Sequence, residues 1–130
     1  MHGHTMFKAG MNALELHAEM RKPRIGYERR KQIFQKYAEV VKPICDRLLF
    51  TWKLVGASSP SNNHNGINYA TYHIVLEEEF VSGRMRRRKG DALCKKLERF
   101  NGNLWATPYD GAVLDCKACL GQALKIIRDS

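Results

Sequence analysis

The chain has 130 residues with 44% apolar and 27% charged content, a balance that excludes a disordered or low-complexity protein and fits a single domain spanning residues 1–130. Lys and Arg number 22 against 13 Asp and Glu, a formal charge of +9. That excess favours a polyanionic partner: nucleic acid first, an acidic protein or anionic surface second. No apolar run approaches the roughly 18 residues that a membrane span needs, and "MHGHTMFKAGM" has no apolar signal-peptide core. We therefore expect a cytoplasmic protein with no membrane partner, whose four cysteines are thiols or metal ligands rather than disulfides.

Residues 10–56 read as helical. "MNALELHAEMRK" is rich in helix formers and stops at Pro23. After "PRIGY", the apolar residues Ile33, Tyr37, Val40, Val41, Ile44 and Leu48 form a helical stripe. Pro43 inside it either kinks one helix or opens another. Residues 57–66, "ASSPSNNHNG", read as a loop. In "INYATYHIVLEEEFVSG", Tyr72, Ile74, Leu76 and Phe80 alternate onto one face of a strand, with Tyr69, His73 and Val75 on the other. Ser82-Gly83 marks a turn from which "RMRRR" returns as a hairpin. "TPYDG" is a further turn, and "CLGQALKIIRD" is a closing helix with Leu120, Leu124 and Ile127 on one side. The expected fold class is α+β: a helical N-terminal half packed on a small antiparallel sheet, with a metal knuckle and a C-terminal helix.

Cys116 and Cys119, in "VLDCKACL", form a Cys-x-x-Cys pair at the start of that helix. The unpaired N–H groups and dipole of a helix N-terminus favour thiolate, the form that binds metal. A closed structural zinc site takes four Cys or His ligands. Cys94, in "GDALCKKL", is the natural third ligand. His73, opposite the most apolar face of its strand, is the fourth. The expected ligand set is His73, Cys94, Cys116 and Cys119, around a structural Zn2+ with no open position for catalysis. One alternative is a group of ordinary buried thiols, since free cysteine is among the most buried residue types; another is redox use of the pair, which the strand-then-helix context fits poorly. Cys45 lies on the helical stripe and reads as core.

The pattern of an upstream His, "ALC" and "VLDCKACL" resembles small bacterial and bacteriophage zinc-binding proteins in which these elements share one metal. The resemblance covers residues 73–120 and implies a metal site, not an activity. A second likeness, His17-Ala18-Glu19 followed by the late Cys-x-x-Cys, resembles zinc-dependent nucleobase deaminases, with His17, Cys116 and Cys119 as ligands and Glu19 as acid/base. Asp115 stands where that family has Pro, only 16 residues precede His17, and the chain ends soon after Cys119. No P-loop, H-E-x-x-H or G-x-S-x-G occurs, and we expect no enzyme. Glu77, Glu78 and Glu79 alternate faces if extended and make a poor cation site.

Two basic stretches remain. "RKPRIGYERRK" holds Arg21, Lys22, Arg24, Arg29, Arg30 and Lys31 around Tyr27; "RMRRRKG" holds Arg84, Arg86, Arg87, Arg88 and Lys89. Guanidinium groups fork onto phosphates, and such contacts supply sequence-independent affinity. The expectation is a small basic zinc-stabilised nucleic-acid-binding accessory or regulatory protein of bacterial or phage type. The alternative is a protein-binding modulator or inhibitor of a host nucleic-acid enzyme or defence system, docking on an acidic surface.

Overall fold

The computed structural model describes residues 2–58, 63–64, 67–68, 71–96, 104–106 and 111–129. Among them the order is α1 (His2–Met20), α2 (Tyr27–Cys45), β1 (Trp52–Ser58), β2 (Asn63–His64), β3 (Ile67–Asn68), β4 (Thr71–Leu76), β5 (Phe80–Ser82), β6 (Met85–Arg87), β7 (Leu104–Ala106) and α3 (Lys117–Asp129). The class is α+β, as the residue patterns predict. The chain divides into two compact units. One is Met1–Leu49 with Ala123–Ser130; the other is Phe50–Gln122.

In the first unit, Ile33, Tyr37, Val41, Ile44 and Cys45 of α2 are buried, at helical spacing. Gly10, Ala13 and His17 form the matching buried stripe of α1. A Cβ on Gly10 would meet Leu124 Cδ2 at 2.8 Å, so the bare backbone there admits the Leu124 side chain. Pro43 does not open a new helix. It lies inside α2, in its last turn, where its missing N–H leaves the Glu39 carbonyl without its helical donor. His17 is buried, with its ring 5.8 Å from that of Tyr37.

The helical reading of residues 10–56 extends too far. Helix α2 stops at Cys45, and Trp52–Ser58 is a strand. A short half-buried apolar run fits a final helical turn as well as a strand by periodicity, and long-range pairing decides between them. β1 is the centre of a three-stranded antiparallel sheet ordered β4-β1-β7. The expected loop at 57–66 likewise contains the end of β1 and the short strand β2, which pairs with β3. Tyr69 lies outside the described residues.

β5 and β6 form the expected hairpin, pairing Phe80 with Arg87, Val81 with Arg86 and Ser82 with Met85. Gly83 has φ 60° and takes the first central position of the two-residue turn, where a hairpin of this length wants positive φ. β6 pairs with β5 rather than with β4. The partner of β4 on that side is an irregular stretch: Val75 bridges to Ala92, Leu76 N–H donates to Asp91 O, and Leu93 N–H donates to Ile74 O. β4 is therefore enclosed between β1 and residues 91–93, and His73, Ile74, Val75 and Leu76 are all buried. The expected one-sided strand is covered on both faces.

Candidate metal centre

His73 sits in the middle of β4. The antiparallel register that pairs Val75 with Ala92 and joins Leu93 to Ile74 sets Cys94 opposite His73. Opposed residues of an antiparallel pair project to one face, and Cys94 Sγ lies 3.4 Å from His73 Nδ1. Val75 and Ala92, the next pair of the ladder on that face, form a buried cluster against which Val55 and Cys94 pack.

The other half comes from the start of α3. The backbone N–H groups of Asp115 and Cys116 both reach the carbonyl of Tyr72, and the Tyr72 N–H donates to the Asp115 carboxylate. These bonds tie the helix start to the residue preceding His73. Cys116 then acts as the helix cap: its carbonyl accepts from Leu120 N–H at 3.0 Å and its Sγ accepts from Cys119 N–H at 3.3 Å. A cap residue's side chain normally receives the N–H three residues on, so Cys-x-x-Cys at a helix start doubles as a capping device. One helical turn brings Cys119 Sγ to 3.6 Å from His73 Nδ1.

The four ligand atoms of His73, Cys94, Cys116 and Cys119 lie within 4.8 Å of one another. No disulfide forms, and all four cysteines of the chain are free. The group can hold a metal ion. Cys116 and Cys119 are buried and Cys94 is half-buried.

The electrostatics distinguish the members of the group. Hydrogen bonds from Cys119 and Cys94, with further help from His73 and the Cys119 backbone, hold the Cys116 thiol well below its usual range despite burial. Cys119 is pushed the other way, by its hydrogen bonds to Cys116 and Cys94 and by burial. For His73, burial favours the neutral ring, but the hydrogen bonds to Cys116 and Cys94 outweigh it and raise the group to about 9. Negative charge is thus placed on Cys116 and balanced by the imidazole proton; a bound metal would take the place of that proton and of the Cys119 proton.

Asp115 is a site residue that the sequence reading passed over, seen only as a departure from the deaminase pattern. Its signal was available: an acidic side chain one residue ahead of a helix cap can bond backbone N–H groups.

The rival ligand His17 is not in this group. Glu19, its proposed acid/base, pairs with Arg29 at 3.2 Å. The acidic run is also occupied, with Glu78 accepting from Thr51 N–H and Glu79 pairing with Arg86. Cys45 is core as expected, and burial, followed by the Asp46 charge, pushes its thiol up to about 12.

The predicted basic residues fall on both units. In the first, Arg21, Lys22, Arg24, Arg29, Arg30 and Lys31 are all exposed around the α1–α2 turn, with Tyr27 76% exposed among them. Arg30 closes the end of α1, donating to Met20 O at 3.1 Å and Lys22 O at 3.4 Å. In the second, Arg84, Arg86, Arg88 and Lys89 are exposed. Arg87 differs: it is half-buried, and its Nε donates to Ala92 O and Leu93 O, each at 3.2 Å. Its guanidinium is committed to the fold.

Residues 67–127, just under half of the chain, are similar to a family described as "Domain of unknown function (DUF8336)". The similar span contains all four ligand residues and the β5–β6 hairpin, and neither α1 nor α2. No curated protein and no solved structure matches the chain. Among the described residues, no helix is long and apolar enough to cross a membrane.

Proposed function

We propose that His73, Cys94, Cys116 and Cys119 bind one structural zinc ion, and that the unit it fixes presents an arginine hairpin to nucleic acid. The distances around His73 carry the metal assignment. With Zn–S about 2.3 Å and Zn–N about 2.05 Å, a tetrahedron has S···N edges of about 3.6 Å. The two sulfur–nitrogen separations at His73 are 3.4 and 3.6 Å. Three thiolates and an imidazole suit zinc, whereas calcium and magnesium take oxygen ligands. Four protein ligands complete the shell, so the ion supplies folding energy rather than a reactive water.

The nucleic-acid reading is supported by the +9 charge and by the solvent-facing Arg84, Arg86, Arg88 and Lys89 at the hairpin. Guanidinium groups fork onto phosphates, and a two-stranded ribbon fits the major groove of a duplex. The α1–α2 turn offers a second such surface, with Tyr27 able to stack on a base.

Metal analysis of purified protein, paired with gel shifts on DNA and RNA at low salt, tests both parts. One zinc per chain and a salt-sensitive shift are expected. A metal-free protein with full native structure would remove the first part. No shift, with one stable acidic partner recovered from nuclease-treated lysate, would replace the second part with protein docking.

A further inference from the structure

We propose that Arg87 is a positioning residue of the metal centre: it clamps the backbone that delivers Cys94. This rests on the reading of the His73 group as a metal site.

The ligands differ in what holds them. His73 is fixed within β4, and Cys116 and Cys119 by the first turn of α3. Cys94 lies outside any helix or strand. Its approach, residues 88–93, leaves the hairpin and folds back along β4. The Asp91 carboxylate accepts from Arg88 N–H at 2.7 Å, and Leu93 N–H donates to Ile74 O at 2.7 Å. Gly90 N–H donates to Leu76 O and Leu76 N–H donates to Asp91 O, both at 2.8 Å. Arg87 adds a side-chain clamp. Its Nε is shared between the carbonyls of Ala92 and Leu93, the two residues before Cys94, and its Nη1 donates to Arg86 O at 3.0 Å.

Ala92 and Leu93 are fully buried. Buried carbonyls need donors, and a charged donor is the strong kind. Removing it frees the chain just before a ligand whose sulfur must sit within a few tenths of an ångström. The basic run therefore divides by strand alternation. Arg86 faces solvent; Arg87, on the opposite side of β6, serves the metal.

The test is competition for zinc between a chromogenic chelator and the purified full-length protein, wild type and the variants Arg87→Ala, Arg87→Lys and Arg84→Ala. Arg87→Ala should bind zinc roughly 10- to 100-fold more weakly, the usual loss when an outer support of a metal ligand is removed. Arg87→Lys, which keeps a charged donor, should recover part of that loss. Arg84→Ala, with the same change in charge, should match wild type. Hydrogen exchange of zinc-loaded Arg87→Ala should show faster exchange at Leu93 than at Cys119.

Wild-type affinity in Arg87→Ala would overturn the inference, as would an equal loss in Arg84→Ala, which would mean that charge alone matters. Should Arg87→Ala not fold, Arg87→Lys against Arg84→Ala decides in the same way. A wild type that holds no zinc refutes the metal reading itself. A zinc-loaded wild type with an indifferent Arg87 refutes only this inference.

Discussion

His73 and Cys94 face each other across an antiparallel pairing, Nδ1 to Sγ 3.4 Å, although 21 residues separate them in the chain. The pairing comes from backbone hydrogen bonds between β4 and residues 91–93, not from the ligands themselves. Half of the site is therefore assembled by sheet formation. The other half arrives when Asp115 and Cys116 dock on Tyr72.

This division predicts unequal effects of ligand loss. Cys119 is fully buried, and Cys119→Ser puts a weaker, polar ligand in a closed apolar position. Cys94 is half-buried, so Cys94→Ser leaves a hydroxyl near solvent. Both should lose tight zinc binding, but Cys119→Ser should cost more stability, by about 1–3 kcal/mol. Urea melts of both chelated and zinc-loaded proteins check this. Equal melts for the two would contradict the burial argument.

Metal removal should act on one unit. Phe50–Gln122 is about 70 residues, a size at which a metal or disulfide commonly supplements a small core. The first unit has its own buried set in Ile33, Tyr37, Val41 and Ile44. Hydrogen exchange after chelation should accelerate through β4 and residues 91–94 and spare the centre of α2. Uniform acceleration over both would show that the metal stabilises the whole chain at once.

The grouping of His73, Cys94, Cys116 and Cys119 was legible because Cys-x-x-Cys announces itself and because His73 lies on the less apolar face of a clearly alternating strand. The α2 stripe was legible for the same periodic reason. β1 was not, because Trp52, Leu54 and Val55 make a pattern too short to distinguish turn of helix from strand; its partners lie some twenty and fifty residues onward. Arg87 and Asp115 were missed because their roles are set by backbone groups, which composition does not display. Strand alternation puts Arg87 on the face opposite Arg84, Arg86 and Arg88 of "RMRRRKG", but does not say that this face meets backbone carbonyls.

Cys45 predicts a pH effect. Its thiol is raised to about 12 in the fold, by burial and then by Asp46, against an ordinary value of 9.0. Between these values the unfolded chain loses this proton while the folded chain keeps it. The unfolded state then binds fewer protons, so stability falls as pH rises from about 9 towards 12 and is unaffected by this group below 9. Cys45→Ala should flatten that alkaline slope. At pH 8, iodoacetamide should label Cys45 only as fast as the protein opens. Rapid labelling of the native, zinc-loaded protein at Cys45 would contradict its burial.

Arg24 is the described non-glycine residue with positive φ, at 69°. A left-handed L-residue costs about 1–2 kcal/mol, and Gly relieves this at the price of a more flexible unfolded chain. Arg24→Gly should raise stability by up to about 1 kcal/mol. It should also weaken nucleic-acid binding, because it removes a cation beside the exposed Lys22 and Tyr27. Opposite signs in a melt and a gel shift are the signature. A variant that gains stability without losing binding would remove Arg24 from the contact surface.

The hairpin's share of binding can be read from salt. Each phosphate neutralised on a duplex contributes about 0.9 to the slope of log affinity against log salt concentration. Arg84, Arg88 and Lys89 are exposed, whereas Arg86 already pairs with Glu79 at 3.2 Å. That pair is solvent-exposed and therefore worth little, so Arg86 can exchange Glu79 for a phosphate at small cost. Replacing Arg84, Arg88 and Lys89 together by Ala should lower the slope by about 2.7 if all three meet phosphates, while zinc content stays at one per chain. Glu79→Gln should leave the slope unchanged or raise it, since it frees Arg86. A triple variant with wild-type affinity and slope would move the binding surface away from the hairpin and leave the α1–α2 turn as its remaining candidate.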